Sequence, residues 1–191
     1  MNFSTILLIV VIIIIIFTVY KFSQGKMNSL TTNIHDAQTV TKIAASDLPA
    51  GNNTSNYTYS VWFYINDWNY KFGLPKTVFT RESSDGQDQT PSVVLAPMQN
   101  NLLITVSVFP DSVSPPVLHT CNVDNVPLQK WVNLITTLNG RSLDIYIDGK
   151  LVRTCVLPGV ARVNPSLDVL LTPEGGFDGF TSKFQYLPHA I

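Results

Sequence analysis

"KWVNLITTLNGRSLDIYIDGKLVRTCVL", residues 130–157, decides the fold. Asn139-Gly140 separates "WVNLITTL" from "RSLDIYI", and Asp148-Gly149 separates that stretch from "KLVRTCVL". Asn-Gly and Asp-Gly favour type I′ turns, in which both central residues take positive φ. Leu143, Ile145 and Ile147 fall on one face of the middle stretch, and Asp144, Tyr146 and Asp148 on the other, the period of a half-buried strand. The spacing predicts a three-stranded antiparallel meander. Asp144 and Asp148, four apart beside Tyr146 and Lys150, resemble a reaction centre. The hairpin explains Asp148 and Gly149 without chemistry, because a short polar side chain tolerates left-handed geometry at a turn.

The same period of two runs outward in both directions. In "YTYSVWFYI", Tyr57, Tyr59, Val61, Phe63 and Ile65 share one face, while Thr58, Ser60, Trp62 and Tyr64 share the other. "KTVFTRE" (76–82), "PSVVLAP" (91–97), "NLLITVSV" (101–108) and "VLHTCNV" (117–123) are further strand candidates. At the end, Phe180, Phe184 and Tyr186 alternate with Thr181, Lys183 and Gln185. No helical period appears after Tyr20. The reading is an all-β antiparallel sandwich over residues 56–191, with Trp62 and Trp131 expected in its core.

The N-terminus is different. Met1 to Tyr20 carries no charged side chain, and Phe3 to Tyr20 is nearly all apolar. Eighteen helical residues cover roughly 27 Å, close to a hydrocarbon core of about 30 Å. No Lys or Arg precedes the run and no A-x-A follows it, so a retained transmembrane helix (1–20) fits better than a cleaved signal peptide. Its anchor residues are Phe3, Ile6, Leu7, Leu8, Ile9, Ile12, Ile16, Phe17 and Tyr20, with membrane lipid as their partner. Residues 21–55 read as a stalk or linker whose later part, "TVTKIAA" (39–45), adds a first edge strand. Lys21 and Lys26 follow the run, which biases the C-terminal domain to the cytosolic side of a single-pass protein. On that side Cys121 and Cys155 stay reduced, and the sequons at Asn2, Asn52, Asn53 and Asn56 stay unmodified.

Composition excludes several function classes. Net charge is −1 with no basic run, which argues against nucleic acid as a partner. His35, His119 and His189 have no neighbour at metal-ligand spacing. "RESSDGQDQT" (81–90) fails as a calcium loop, since Arg81 and Ser92 would fill its end positions, and it reads as a solvated loop. No G-x-S-x-G or phosphate loop is present. No cofactor, metal or catalytic residue is assigned.

The Trp-led strand, the "IYIDGKLV" hairpin and the closing "FDGFTSKFQYLPHAI" resemble the concanavalin A-like, laminin-G-like jelly roll over residues 56–191. Retaining glycosidases of that family carry an E-x-D-x-x-E type motif. Here Glu82 and Glu174 are the only glutamates and form no such motif, so the expectation is a non-enzyme. A short N-terminal anchor before such a domain also resembles minor virion proteins of large double-stranded DNA viruses. That resemblance implies a structural protein at a virion inner membrane, tethering a capsid shell through capsid-type protein partners. The alternative is a membrane-anchored, lectin-like module that binds a glycan. Candidate partner or glycan loops are 66–73, with Trp68, Tyr70 and Lys71, and 81–90, with Asp85 and Asp88. Trp68 is read first as packing, with sugar stacking as its alternative.

Overall fold

The β-period predicted from sequence produces two antiparallel sheets, seen in a computed structural model that describes residues 9–18, 29–51, 55–111 and 115–191. The strands are β1 (His35–Asp36), β2 (Thr41–Ile43), β3 (Tyr57–Asp67), β4 (Lys76–Glu82), β5 (Gln89–Leu95), β6 (Leu102–Phe109) and β7 (Val117–Val123). They continue as β8 (Trp131–Asn139), β9 (Ser142–Ile147), β10 (Lys150–Val156), β11 (Val160–Ala161), β12 (Val169–Leu171) and β13 (Asp178–Leu187). One sheet has six strands in the order β1-β13-β3-β8-β9-β10. The other has seven, β11-β6-β5-β4-β12-β2, with β7 also paired to β6.

The alternation in β3 sets the core. Tyr57, Tyr59, Val61, Phe63 and Ile65 are all buried, facing Phe79, Val93 and Ile104 from the other sheet. Tyr59 sits within 4.9–5.9 Å of the Phe79, Phe184 and Tyr186 rings. Burial of this cluster pushes the Tyr57 and Tyr59 phenols well above their usual range.

The meander β8-β9-β10 forms as expected, with one turn shifted. Asp148 and Gly149 are the two central residues of the second turn, at φ 50° and 76°, the type I′ pattern. In the first turn Asn139 pairs with Ser142, so the central residues are Gly140 and Arg141. Gly140 has φ 59° and Arg141 is not left-handed, which is the type II′ pattern with glycine first. Glycine at the first central position suits that turn, and the Asn56 side chain accepts the Gly140 N–H at 2.8 Å.

Three further expectations are corrected. Trp62 and Trp131 do not fill the core. They lie on the outer face of the six-stranded sheet, because Trp62 keeps the phase of Thr58 and Ser60. Phe180 does not share a face with Phe184 and Tyr186. A bulge between Ser182 and Gln185, with Lys183 at φ 48°, reverses the phase and turns Phe180 outward. Cys121 on β7 and Cys155 on β10 are not free thiols. They form a disulfide with Cα atoms 6.2 Å apart, because both strands direct these side chains into the gap between the sheets.

Part of the expected stalk joins the sandwich. Ser29 bridges to Gln185, β1 extends the six-stranded sheet beyond β13, and β2 extends the other beyond β12. Residues 9–18 of the apolar run are helical, and the side chains from Ile9 to Phe17 are exposed. Among the described residues, no helix is long and apolar enough to cross a membrane. The remaining anchor residues Phe3, Ile6, Leu7, Leu8 and Tyr20 lie outside the described residues, as do Lys21, Lys26 and the sequons at Asn2, Asn52 and Asn53.

Candidate functional site

Because β3 lies inside the six-stranded sheet, its outward residues meet partners on both sides. Tyr64 pairs with Trp131 on β8 and with Phe180 on β13. Their rings form a row, with centroids 5.8 Å apart for Tyr64–Trp131 and 6.4 Å for Tyr64–Phe180. Trp62, one residue pair further along, is 37% exposed. Without the bulge at Lys183, Phe180 would face the core and the row would lose its third ring.

A groove of about 340 Å³ runs from Trp62 along this face. Its walls include Ser60, Asn133, Lys183 and Gln185, together with apolar Ile135, Leu187 and Ile191. The tail is held there by the Ile191 N–H donating to Thr137 Oγ1 at 3.3 Å, and by Thr58 Oγ1 donating to the His189 carbonyl at 2.9 Å. Asn133 Nδ2 donates to Ser60 Oγ at 3.2 Å. An exposed indole beside hydroxyl, amide and ammonium groups matches an amphipathic ligand. Apolar C–H faces can lie on the ring while hydroxyls bond to the polar wall.

The carboxylates of "DIYIDGKL" serve the hairpin. Asp144 Oδ1 accepts from Thr154 Oγ1 at 2.6 Å and from Ser142 Oγ at 3.3 Å. Asp148 accepts from Lys130 Nζ and from the Asn133 backbone N–H, each at 2.9 Å. The Lys130 ammonium and the Asn133 N–H hold the Asp148 carboxyl below its usual range. Asp148 therefore acts on the groove indirectly, by fixing the backbone that presents Asn133.

The two loops named from sequence lie at opposite ends of β4, a seven-residue strand of roughly 20 Å at ~3.3 Å per residue. They do not form one site. Trp68 packs against the core, with Lys76 Nζ 4.3 Å from its ring centroid. Tyr70 donates to the Gly175 carbonyl at 2.9 Å, and Lys71 to the Glu174 carbonyl at 2.7 Å. Asp85 closes its own loop by accepting from Ser83 Oγ and the Gln87 N–H. The reading of 81–90 as a wholly solvated loop is corrected, since Arg81 and Asp88 are each 3% exposed and Asp88 pairs with Arg162 at 3.2 Å. Among the described residues no three His, Cys, Asp or Glu side chains converge on a metal position. Neither Glu82 nor Glu174 lines the groove.

A family model described as the concanavalin A-like lectin/glucanases superfamily matches residues 37–183. No curated protein sequence matches. Among solved structures, the chain is similar to the botulinum neurotoxin serotype G binding domain, at 13% identity and a TM-score of 0.57, covering 86% of this chain and 45% of that one. It is also similar to the binding domain of botulinum neurotoxin DC in complex with rat synaptotagmin II, at 16% identity and a TM-score of 0.56, covering 84% and 43%. The serotype D binding domain gives 14% identity and a TM-score of 0.57, covering 83% and 43%. The chain spans under half the length of these structures, and likeness at such identity concerns the fold.

Proposed function

We propose that this chain, which belongs to the concanavalin A-like lectin/glucanases superfamily, is a non-catalytic, membrane-tethered module that binds a glycan on the outer face of its six-stranded sheet. The observation behind this reading is the groove that begins at exposed Trp62 and continues past Ser60, Asn133, Lys183 and Gln185. Hydroxyl, amide and ammonium groups stand beside an exposed indole there. They suit a ligand that is apolar on one side and hydroxylated on the other. Hydrolysis of a glycoside needs two carboxyl groups across the bond, and the described lining of this groove contains no Asp or Glu side chain. The tether rests on the uncharged run before Lys21 and on the exposed apolar helix of residues 9–18.

The disulfide bears on which side of the membrane the domain occupies. Such bonds persist on the oxidising side, so the Cys121–Cys155 bond supports an extracytosolic domain, against the weak bias of Lys21 and Lys26. A glycan array probed with the full-length chain in detergent, with Trp62→Ala as control, tests the glycan reading. Array signals that Trp62→Ala leaves unchanged would remove it.

A second reading, a virion tether with a capsid-type protein as partner, draws on the free edge of the six-stranded sheet. β10 pairs only with β9, and Leu151, Val152 and Val156 on it are exposed. An open apolar edge accepts a partner strand. Crosslinks from Lys150, beside that edge, to a shell protein in purified particles would favour this reading. Lys76, buried at 1% exposure, cannot report on it.

A further inference from the structure

A second cavity, of about 620 Å³, shares no lining residue with the groove. Arg81 reaches it from β4 and is 3% exposed. Its Nε donates to the Leu167 carbonyl at 2.9 Å, Nη2 to the Pro165 carbonyl at 2.9 Å, and Nη1 to the Tyr59 hydroxyl at 3.2 Å. All three acceptors are neutral. A guanidinium carries five N–H donors, and with the Tyr186 hydroxyl also against it about one to two remain.

The nearby carboxylates are engaged elsewhere. Asp88 pairs with Arg162, the other arginine lining this cavity, at 3.2 Å. Asp168 holds Lys42 at 2.7 Å and the Ala45 N–H at 2.8 Å. Among the described residues Arg81 has no carboxylate within ion-pair distance; Asp168 senses its charge from further off, and Asp85 senses that of Arg162. A buried charge without a directly paired counter-charge costs several kcal/mol, roughly, unless something supplies one. The rest of the lining is largely apolar, with Leu48, Phe109, Val163 and Tyr186, and the Arg81 guanidinium lies 5.6 Å from the Tyr186 ring. The volume lies within the range of small-molecule sites.

We propose that this cavity binds a small organic anion, whose carboxylate or phosphate oxygens take the free Arg81 N–H groups and whose body rests on Tyr186 and Phe109. Arginine is suited to both anions, because its planar donors match their paired oxygens. Arg162 stays on Asp88 and contributes its field rather than a direct bond.

The test uses the full-length chain in detergent, following the Arg81 Nε–H resonance by NMR. Glucuronate and phenyl phosphate are titrated separately, with glucose and phenol as neutral controls. A saturable shift with an anion and none with the controls is expected, weakening as salt is raised. Preference for glucuronate identifies an acidic sugar; preference for phenyl phosphate identifies a phosphate ester. Ala50 is an exposed residue of the same lining, so Ala50→Glu supplies an internal carboxylate without disturbing the core. It is expected to weaken binding by about tenfold or more, a change of ~1.4 kcal/mol. Trp62→Ala should leave anion binding intact, which separates this site from the glycan groove. No saturable shift with either anion, or equal shifts with the neutral controls, overturns the proposal. So does anion binding that Ala50→Glu leaves unchanged.

Discussion

Replacing both Cys121 and Cys155 with alanine removes the covalent link between the sheets, because β7 and β10 belong to different ones. The bond closes a loop of 34 residues in sequence separation. The chain-entropy relation for such a loop gives about 4 kcal/mol at 25 °C. That figure is an upper value here, since β10 is an edge strand with mostly exposed side chains and the reduced chain recovers freedom there without leaving the native sheet. A loss of about 3 kcal/mol is the working expectation. At about 2–4 °C per kcal/mol for a domain of this size, Tm falls by roughly 6–12 °C. Differential scanning calorimetry of the double variant, and of the wild type with and without reductant, measures it. Reduction should reproduce the variant's shift and leave the variant itself unmoved. A shift below about 3 °C would show that the sheets hold together equally well without the link. Two alkylatable thiols in protein isolated from native membranes under non-reducing conditions would contradict the bond and the extracytosolic placement with it.

Three other perturbations probe the fold. Lys76 is buried with no hydrogen-bond partner for Nζ among the described residues, and burial, helped by the charge of Lys71, lowers its pKa. With the folded value below the unfolded one, the unfolded chain binds more protons between them, so stability rises with pH through that window toward about 10.4. Lys76→Met should stabilise the domain by about 1 kcal/mol in urea titrations at neutral pH and flatten the alkaline rise; a loss of similar size would mean that the cation–π contact with Trp68 outweighs burial. Gly149→Val is expected to cost roughly 1–3 kcal/mol. A Cβ there meets nothing within 4 Å while φ is 76°, so the cost is backbone strain alone, and a neutral result would refute the positive-φ assignment. Asp148, with its pKa lowered by Lys130 and the Asn133 N–H, contributes stability above about pH 3.9 that is lost as pH falls through its folded value. Because the pair is partly exposed, Lys130→Ala should remove only about 0.5 kcal/mol at pH 7, and progressively less as pH falls through the folded value of Asp148.

The parts of the fold that local pattern encodes were legible. Period-two alternation in β3, β6 and β9 located the core face, and Asp148-Gly149 located its turn. The turn at Gly140 is shifted by one: Asn-Gly suits type I′, but the same glycine also suits the first position of type II′, and the contact with Asn56, far away in sequence, is not visible locally. The outward position of Trp62 was readable from its phase beside Thr58 and Ser60, but the general tendency of aromatics to be buried pointed the other way. Phe180 was not readable, because nothing in "FTSKFQY" marks the bulge at Lys183. The Cys121–Cys155 pairing and the Arg81 cavity were also beyond local reading. The cavity assembles segments around residues 45–51, 81, 109, 160–165 and 186, which only the packed sheets bring together.

The glycan groove rests on Trp62 being an open stacking surface rather than idle exposure. Titrating a glycan identified on the array while recording tryptophan fluorescence, in wild type and Trp62→Ala, tests this most directly. The expected result is a saturable change in the wild type and an affinity loss of about tenfold or more in Trp62→Ala, equivalent to ~1.4 kcal/mol, with Tm within about 2 °C of the wild type. Equal affinity in the two proteins, or saturable binding that instead depends on Trp68, would contradict it.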